Sequence, residues 1–452
     1  MSTSAKLVKR DFGSFHASNV QDLIHLSDEE YEPPAFPRGL EIPSFVSEDI
    51  EFGEKFRETH TLLEKQCTFL NHGAFGAVMK ETLDYAQKWQ RYTETQPLRF
   101  FDRDLLPHMA YVTRRLAKFV GCRPKDLLLM NNVTNAINTV LHNIPLEKGD
   151  IIYCLNTTYG AVKKLLKWIC QQKGVVLQEE TIKFPLTETK QVIDIVNRTL
   201  RSGTKLAVFD HIPSNTPFIL PVEDLTKICQ ERNVPILIDG AHALGSLDLQ
   251  LSRFCPDFYA SNCHKWFCCP KGSAFLYVKE DRQPHTRPLV ISHGFGSGFN
   301  SEFIWTGLHD YSPYLAIHVM INFWDDIGKE RVFNYMYTLR RKACDMLMKE
   351  WGTTLPVSED LLGSMCLVRL PPSLYKELKD VDYSVAEKIQ NILYHKYNIE
   401  VSVMRRTHPR HLIGMKRSGR VLHVVTKNFQ SNLPYLVKNA VSDESNLNKT
   451  SC

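Results

Sequence analysis

No apolar run in this 452-residue chain is long enough to cross a bilayer, so no membrane-embedded segment is expected. Its 55 Lys and Arg residues, set against 50 Asp and Glu, are dispersed. No basic tract with interleaved aromatics occurs, and that absence argues against nucleic-acid binding. The twelve cysteines show neither a CxxC pair nor a Cys/His cluster at zinc spacing, and they are not placed as a disulfide framework. No bound metal is expected, and a reducing compartment fits. The stretch Met1 to Arg10 lacks the apolar core of a signal peptide. Lys449-Thr450-Ser451-Cys452 is neither a peroxisomal tripeptide nor a prenylation box, which leaves a cytoplasmic location as the expectation. A P-loop is missing too. The glycine-rich stretch Ser292 to Phe299 has no strand-to-helix GxGxxG context, so a nucleotide site is disfavoured.

What is present is an ordinary globular composition, 43% hydrophobic and 23% charged. From about residue 110 to 280 apolar runs alternate with amphipathic segments. The runs are Leu127–Met130, Ile151–Cys154, Leu206–Phe209 and Ile236–Ile238; helical segments include Ala161–Gln172 and Val222–Arg232. This is an α/β pattern, a mainly parallel sheet covered on both faces, with active groups expected at strand C-terminal ends. Residues 1–65 are polar, with an acidic, Pro-rich piece at Asp28–Pro34 and few periodic apolar positions. They read as an arm, partly disordered, that packs across a partner subunit. The remaining divisions are a large domain over 66–310, a small C-terminal α/β domain with linking helices over 311–437, and a polar tail over 438–452.

The stretch Pro235–Gly272 organises the rest. Its apolar run delivers Asp239 into the turn Gly240-Ala241, and 26 positions later, 265 − 239, stands Lys265 in Asn262-Cys263-His264-Lys265-Trp266. Taken alone, Asp239 reads as a turn or capping acid and Lys265 as a solvated lysine. Taken together, a lysine amine able to form a Schiff base and an acid able to hold a pyridine nitrogen protonated describe a pyridoxal 5'-phosphate site.

The ordered motifs Asp239-Gly240-Ala241-His242-Ala243, Asn262-Cys263-His264-Lys265-Trp266 and Pro270-Lys271-Gly272 resemble the class V aminotransferases, pyridoxal-phosphate enzymes of fold type I. The likeness is to the branch of isopenicillin N epimerase and hercynylcysteine sulfoxide lyase, and it spans roughly residues 66 to 435. It implies Lys265 as the Schiff-base lysine and general base, and Asp239 as the partner of the ring nitrogen. Thr134 and Asn135, in a turn opening a helix, are implied to hold the phosphate; each is also explained as a plain N-cap. Tyr159 is implied to stack on the ring, although a lone tyrosine at a helix entry also reads as packing. In Asp210-His211-Ile212-Pro213-Ser214-Asn215-Thr216, either Ser214 or Asn215 is implied to reach the cofactor's 3′ oxygen, as is His242. His211 reads as structural.

Asn262 and His264 stand where relatives bind phosphate, and Trp266 reads as a packing residue that dries the site. Thr306, in a Thr-Gly loop, is implied to enter the neighbouring subunit's phosphate site, although Leu308-His309 replaces the usual Thr-Arg. Asn71 and His72, in Leu70-Asn71-His72-Gly73-Ala74-Phe75-Gly76, are implied to lie near the substrate. Arg420 is implied to grip the substrate carboxylate, although Val421-Leu422 and Lys427 depart from the family's segment and a surface salt bridge is the other reading. Arg99 reads as a salt-bridge residue rather than an anion ligand.

The resemblance further implies a homodimer with active sites at the subunit interface and a small-molecule amino-acid substrate. Cysteine desulfurases need a nucleophilic cysteine on a mobile loop, and Cys366 sits in an apolar run, so a core thiol is the expected reading there. A C–S lyase is expected ahead of an epimerase. An aminotransferase, a cysteine desulfurase-like enzyme and a non-catalytic scaffold of the same fold are the alternatives.

Overall fold

The computed structural model describes residues 17–370, 383–404 and 421–425. After a short strand β1 (Thr68–Phe69) come the seven strands of the central sheet. They are β2 (Leu127–Met130), β3 (Ile151–Leu155), β4 (Val176–Glu180), β5 (Thr204–Asp210), β6 (Ile236–Asp239), β7 (Phe258–Asn262) and β8 (Ala274–Val278). Their spatial order is β2-β8-β7-β6-β5-β3-β4. Strand β8 runs antiparallel to both of its neighbours and every other pairing is parallel. A mainly parallel seven-stranded sheet was the expectation, and it is what the chain forms.

Apolar residues on both faces make these strands near-continuous hydrophobic runs, as helices covering both sides require. Side chains alternate across the sheet. Ile236 and Ile238 join one core with Tyr153, Phe209 and Tyr259, while Leu237 joins the opposite core with Ile152, Val208 and Phe258. The helix Val133–Asn143 follows β2 directly, and the Asn132 side chain caps it by accepting the Asn135 N–H at 2.8 Å.

A second lobe holds β9 (Met365–Arg369), β10 (Ile399–Glu400), β11 (Ser402–Met404) and β12 (Val421–Val425). The order β11-β12-β9 is antiparallel throughout, and β10 pairs with β1. Residue 66, the sequence-based boundary of the large domain, therefore falls just before a strand that belongs with this lobe. The described part of the N-terminal arm packs on its own chain. Val20, Ile24, Leu40 and Ile50 are all buried, and the Arg114 guanidinium donates to the carbonyls of Ile24 at 3.2 Å and Leu26 at 2.7 Å. Val20 and Ile24 share one face of the short helix Ala17–His25, whereas Leu40 lies outside any helix or strand and Ile50 directly follows the single 3-10 turn Ser47–Asp49, so the arm carries little periodic signal.

Candidate active site

Strand C-terminal ends meet along one edge of the sheet. Strands β5 and β6 end in Asp210 and Asp239, which are Cα partners, and β7 ends in Asn262. A cavity of about 140 Å³ opens there, lined by Thr134, Tyr159, Ser214, Asp239, His242 and Lys265, with Asn262, His264 and Asp210 completing its wall.

Lys265 is held from several sides. Gly76, at φ +71°, lies so close that a Cβ would sit 2.1 Å from the His264 carbonyl oxygen and 2.9 Å from the Lys265 Cα. From the other side Gly245, at φ +77°, would place a Cβ 2.6 Å from the Trp266 carbonyl carbon. Only glycine allows these approaches. His72, fully buried, accepts the Ala77 N–H on Nδ1 at 3.2 Å and donates from Nε2 to the Lys265 carbonyl at 3.0 Å. The Lys265 amine lies 3.2 Å from His242 Nε2, and the Trp266 indole N–H donates to His242 Nδ1 at 3.4 Å. An indole only donates, so Nδ1 accepts and the proton of the neutral ring sits on Nε2, toward the amine.

Burial sets the electrostatics. Desolvation lowers the Lys265 pKa to about 8, with Asp239 pulling the other way. Burial raises the Asp239 carboxyl, opposed by the Ala241 N–H it accepts at 3.0 Å and by Lys265. Burial pushes His264 down to about 4; its Nδ1 donates to the Ser273 carbonyl at 2.9 Å, which leaves Nε2 for a ligand.

The wall fits pyridoxal phosphate. At the N-terminus of the helix Val133–Asn143, the Asn262 side chain accepts the Val133 N–H at 3.1 Å and Asn132 accepts that of Asn135. The Thr134 N–H and hydroxyl remain for an anion, at the positive end of the helix dipole. An amine near neutrality and a buried acid complete the donor set that the cofactor's aldehyde and ring nitrogen require.

Other expected residues lie elsewhere. The structure does not bring Asn135 to this cavity: with Thr306 it lines a separate cavity of about 360 Å³. Ser214 borders the site, whereas Asn215 is exposed and does not line it. Asn71 donates to Glu400 at 3.1 Å, and His72 is occupied by backbone, so it positions Lys265 rather than meeting substrate. Arg420 lies outside the described residues. Arg99 sits 3.7 Å from Asp104 and over the Tyr92 ring, in keeping with a salt bridge. His211 pairs with the Tyr259 hydroxyl at 2.8 Å and is structural. Cys366 is fully buried, with its Sγ 2.8 Å from that of Cys344. Asp210 had been given no role, although it ends a buried apolar run just as Asp239 does.

The family described as Aminotransferase class-V matches residues 75–300. The putative L-cysteine desulfhydrase 1 of Oryza sativa subsp. japonica is 32% identical over 69% of this chain and 68% of its own length. The isopenicillin N epimerase of Streptomyces clavuligerus is 27% identical over 76% of this chain and 88% of its own. Among solved structures, the cysteine desulfurase CsdA from Escherichia coli superposes with a TM-score of 0.68 at 15% identity, over 88% of this chain and all of the other, a likeness of fold. With the fold, the lysine and its acid in place, the chain belongs to the class V aminotransferase family of pyridoxal-phosphate-dependent enzymes.

Proposed function

We propose that this enzyme is a C–S lyase that acts on L-cysteine or a cysteine-derived amino acid and releases the sulfur from Cβ. When bound, pyridoxal phosphate supplies an electron-withdrawing ring that eases bond breaking at the substrate's Cα. Lys265 would hold the cofactor through Nζ, with Thr134 and His264 at its phosphate, Asp239 keeping a proton on the ring nitrogen and Tyr159 against the ring. With a pKa of about 8 against 10.5 for a free lysine, the Lys265 amine holds a neutral fraction of roughly a fifth near pH 7.4 and is able to take a proton from Cα. His242 Nε2, at 3.2 Å, orients the amine's lone pair.

The observation that carries the lyase reading is Cys366. It lies within strand β9, buried against Cys344, so a mobile nucleophilic thiol of the desulfurase kind is not available at that position. The desulfhydrase relative points the same way. Epimerase activity is the second reading, supported by the relative matched over 88% of its length. Incubation with L-cysteine should release sulfide and pyruvate; racemised cysteine without sulfide would select the epimerase, and neither product would exclude L-cysteine as substrate.

We also infer a homodimer. Leu289, Val290 and Leu308 are exposed on the wall of the Thr306 cavity, and the chain continues into exposed Ile291 and Phe295, a larger apolar display than isolated surface residues make. A cytoplasmic location remains part of this proposal.

A further inference from the structure

Strands β5 and β6 run parallel and end together, with Asp210 and Asp239 in register. Residues so paired face the same side of a sheet, and both carboxyl groups border the same cavity. Each is only 4% exposed. Each accepts one backbone N–H, that of Tyr159 for Asp210 at 3.2 Å and that of Ala241 for Asp239 at 3.0 Å.

The surrounding elements supply one cation to this pair. Lys265, from the loop after β7, acts on Asp239, whereas Asp210 feels the Asp239 charge. The remaining titratable neighbours are neutral or distant from a charge role. Burial holds His211 on β5 at about 3, His264 at about 4, and Tyr259 on β7 well above its usual value. His242 faces the Lys265 amine, and Tyr159 offers its backbone amide. Two carboxylates in a desolvated wall with a single ammonium do not both stay ionised. Burial first, and the Asp239 charge second, hold the Asp210 carboxyl well above the usual carboxylate range.

We propose that Asp210 and Asp239 form a carboxyl pair that shares one proton, with Asp210 the positioning residue that holds it and so leaves Asp239 the single anion of the wall. The consequence for the cofactor's ring nitrogen rests on the pyridoxal phosphate reading; the shared proton does not. Asp210 then acts through Asp239 and touches no reacting atom.

The test is infrared spectroscopy of the full-length protein labelled with carboxyl-¹³C aspartate, titrated with pH before and after loading with pyridoxal phosphate. At pH 7 the wild type should show a protonated-carboxyl band that survives loading. Asp210→Asn should lose that band. Asp239→Asn should keep it and lose it at lower pH than the wild type, because the neighbouring charge is gone. An amide at 210 still accepts the Tyr159 N–H, so a merely structural Asp210 predicts an unchanged pH profile of cofactor affinity; the proposal predicts that Asp210→Asn loses one inflection. No band in the wild type at pH 7, or an equal band in Asp210→Asn, overturns the proposal. The wild-type band decides even if a variant fails to fold. Failure of the wild type to bind pyridoxal phosphate would instead refute the cofactor reading and leave the band result standing.

Discussion

Around Lys265 the chain closes on itself. Gly76 presses on the backbone of His264 and Lys265 and Gly245 on that of Trp266 beside them, His72 bonds the lysine's carbonyl, and Trp266 orients the histidine beside its amine. Around Thr306 the surface is open, with Leu308 at 72% and Val290 at 53% exposure on the wall of a cavity of about 360 Å³. The first region is built by contacts within one chain, and in the proposed homodimer the second is the surface a neighbour would cover. Substitutions in the two regions should separate accordingly.

The largest effect belongs to Lys265→Met, which should lower turnover by roughly 10⁴-fold in a sulfide-release assay while the dimer persists. The same change should stabilise the cofactor-free protein. Lys265 has a pKa of about 8 in the fold against 10.5 for the free side chain, so between those values the fold binds fewer protons than the unfolded chain and stability rises with pH. The buried ammonium thus costs its full amount, roughly 3 kcal/mol, below pH 8, and the variant's advantage should shrink to nothing as pH approaches 10.5. Denaturant unfolding at several pH values measures this.

The double substitution Ile291→Glu/Leu308→Glu attacks the rim instead. Light scattering should show the mass fall to that of one chain, while the cofactor still attaches to Lys265. A dimer that survives both charges would place the interface elsewhere.

Asp210→Asn is expected to be gentler and to depend on pH. With its pKa raised above the ordinary 3.8, Asp210 gives the fold an extra proton relative to the unfolded chain, so wild-type stability falls as pH rises through that window. The variant's melting temperature should match the wild type near pH 3 and exceed it increasingly above about pH 4. Cys366→Ala should change least in activity, within about twofold, and cost roughly 2 kcal/mol of stability from the cavity it leaves. Loss of turnover there would restore a nucleophilic thiol to consideration.

Much of the large domain was legible because its signals are local. An apolar run ending in Asp239, and a lysine in a compact aromatic segment, state their chemistry within a few dozen residues. The roles of His72 and Asp210 were not legible, because each depends on a partner brought up by the fold. His72 meets Lys265 across 193 positions of chain, and Asp210 meets Asp239 only through strand register. Asn135 lies outside the Lys265 cavity for a related reason. Position in a helix's first turn does not say which side of the turn a side chain takes, and here it faces the Thr306 cavity. In the arm, Val20 and Ile24 bury at helical spacing on the short helix Ala17–His25, while Leu40 and Ile50 bury outside any helix or strand, a signal too brief and scattered to stand out in a polar stretch.

The most direct test of the account is peptide mapping of the cofactor-loaded protein after borohydride reduction. The account predicts a stable pyridoxyl adduct on the peptide that carries Lys265, and on no other, together with loss of sulfide release. An adduct on a different lysine, or none after loading with pyridoxal phosphate, would contradict it.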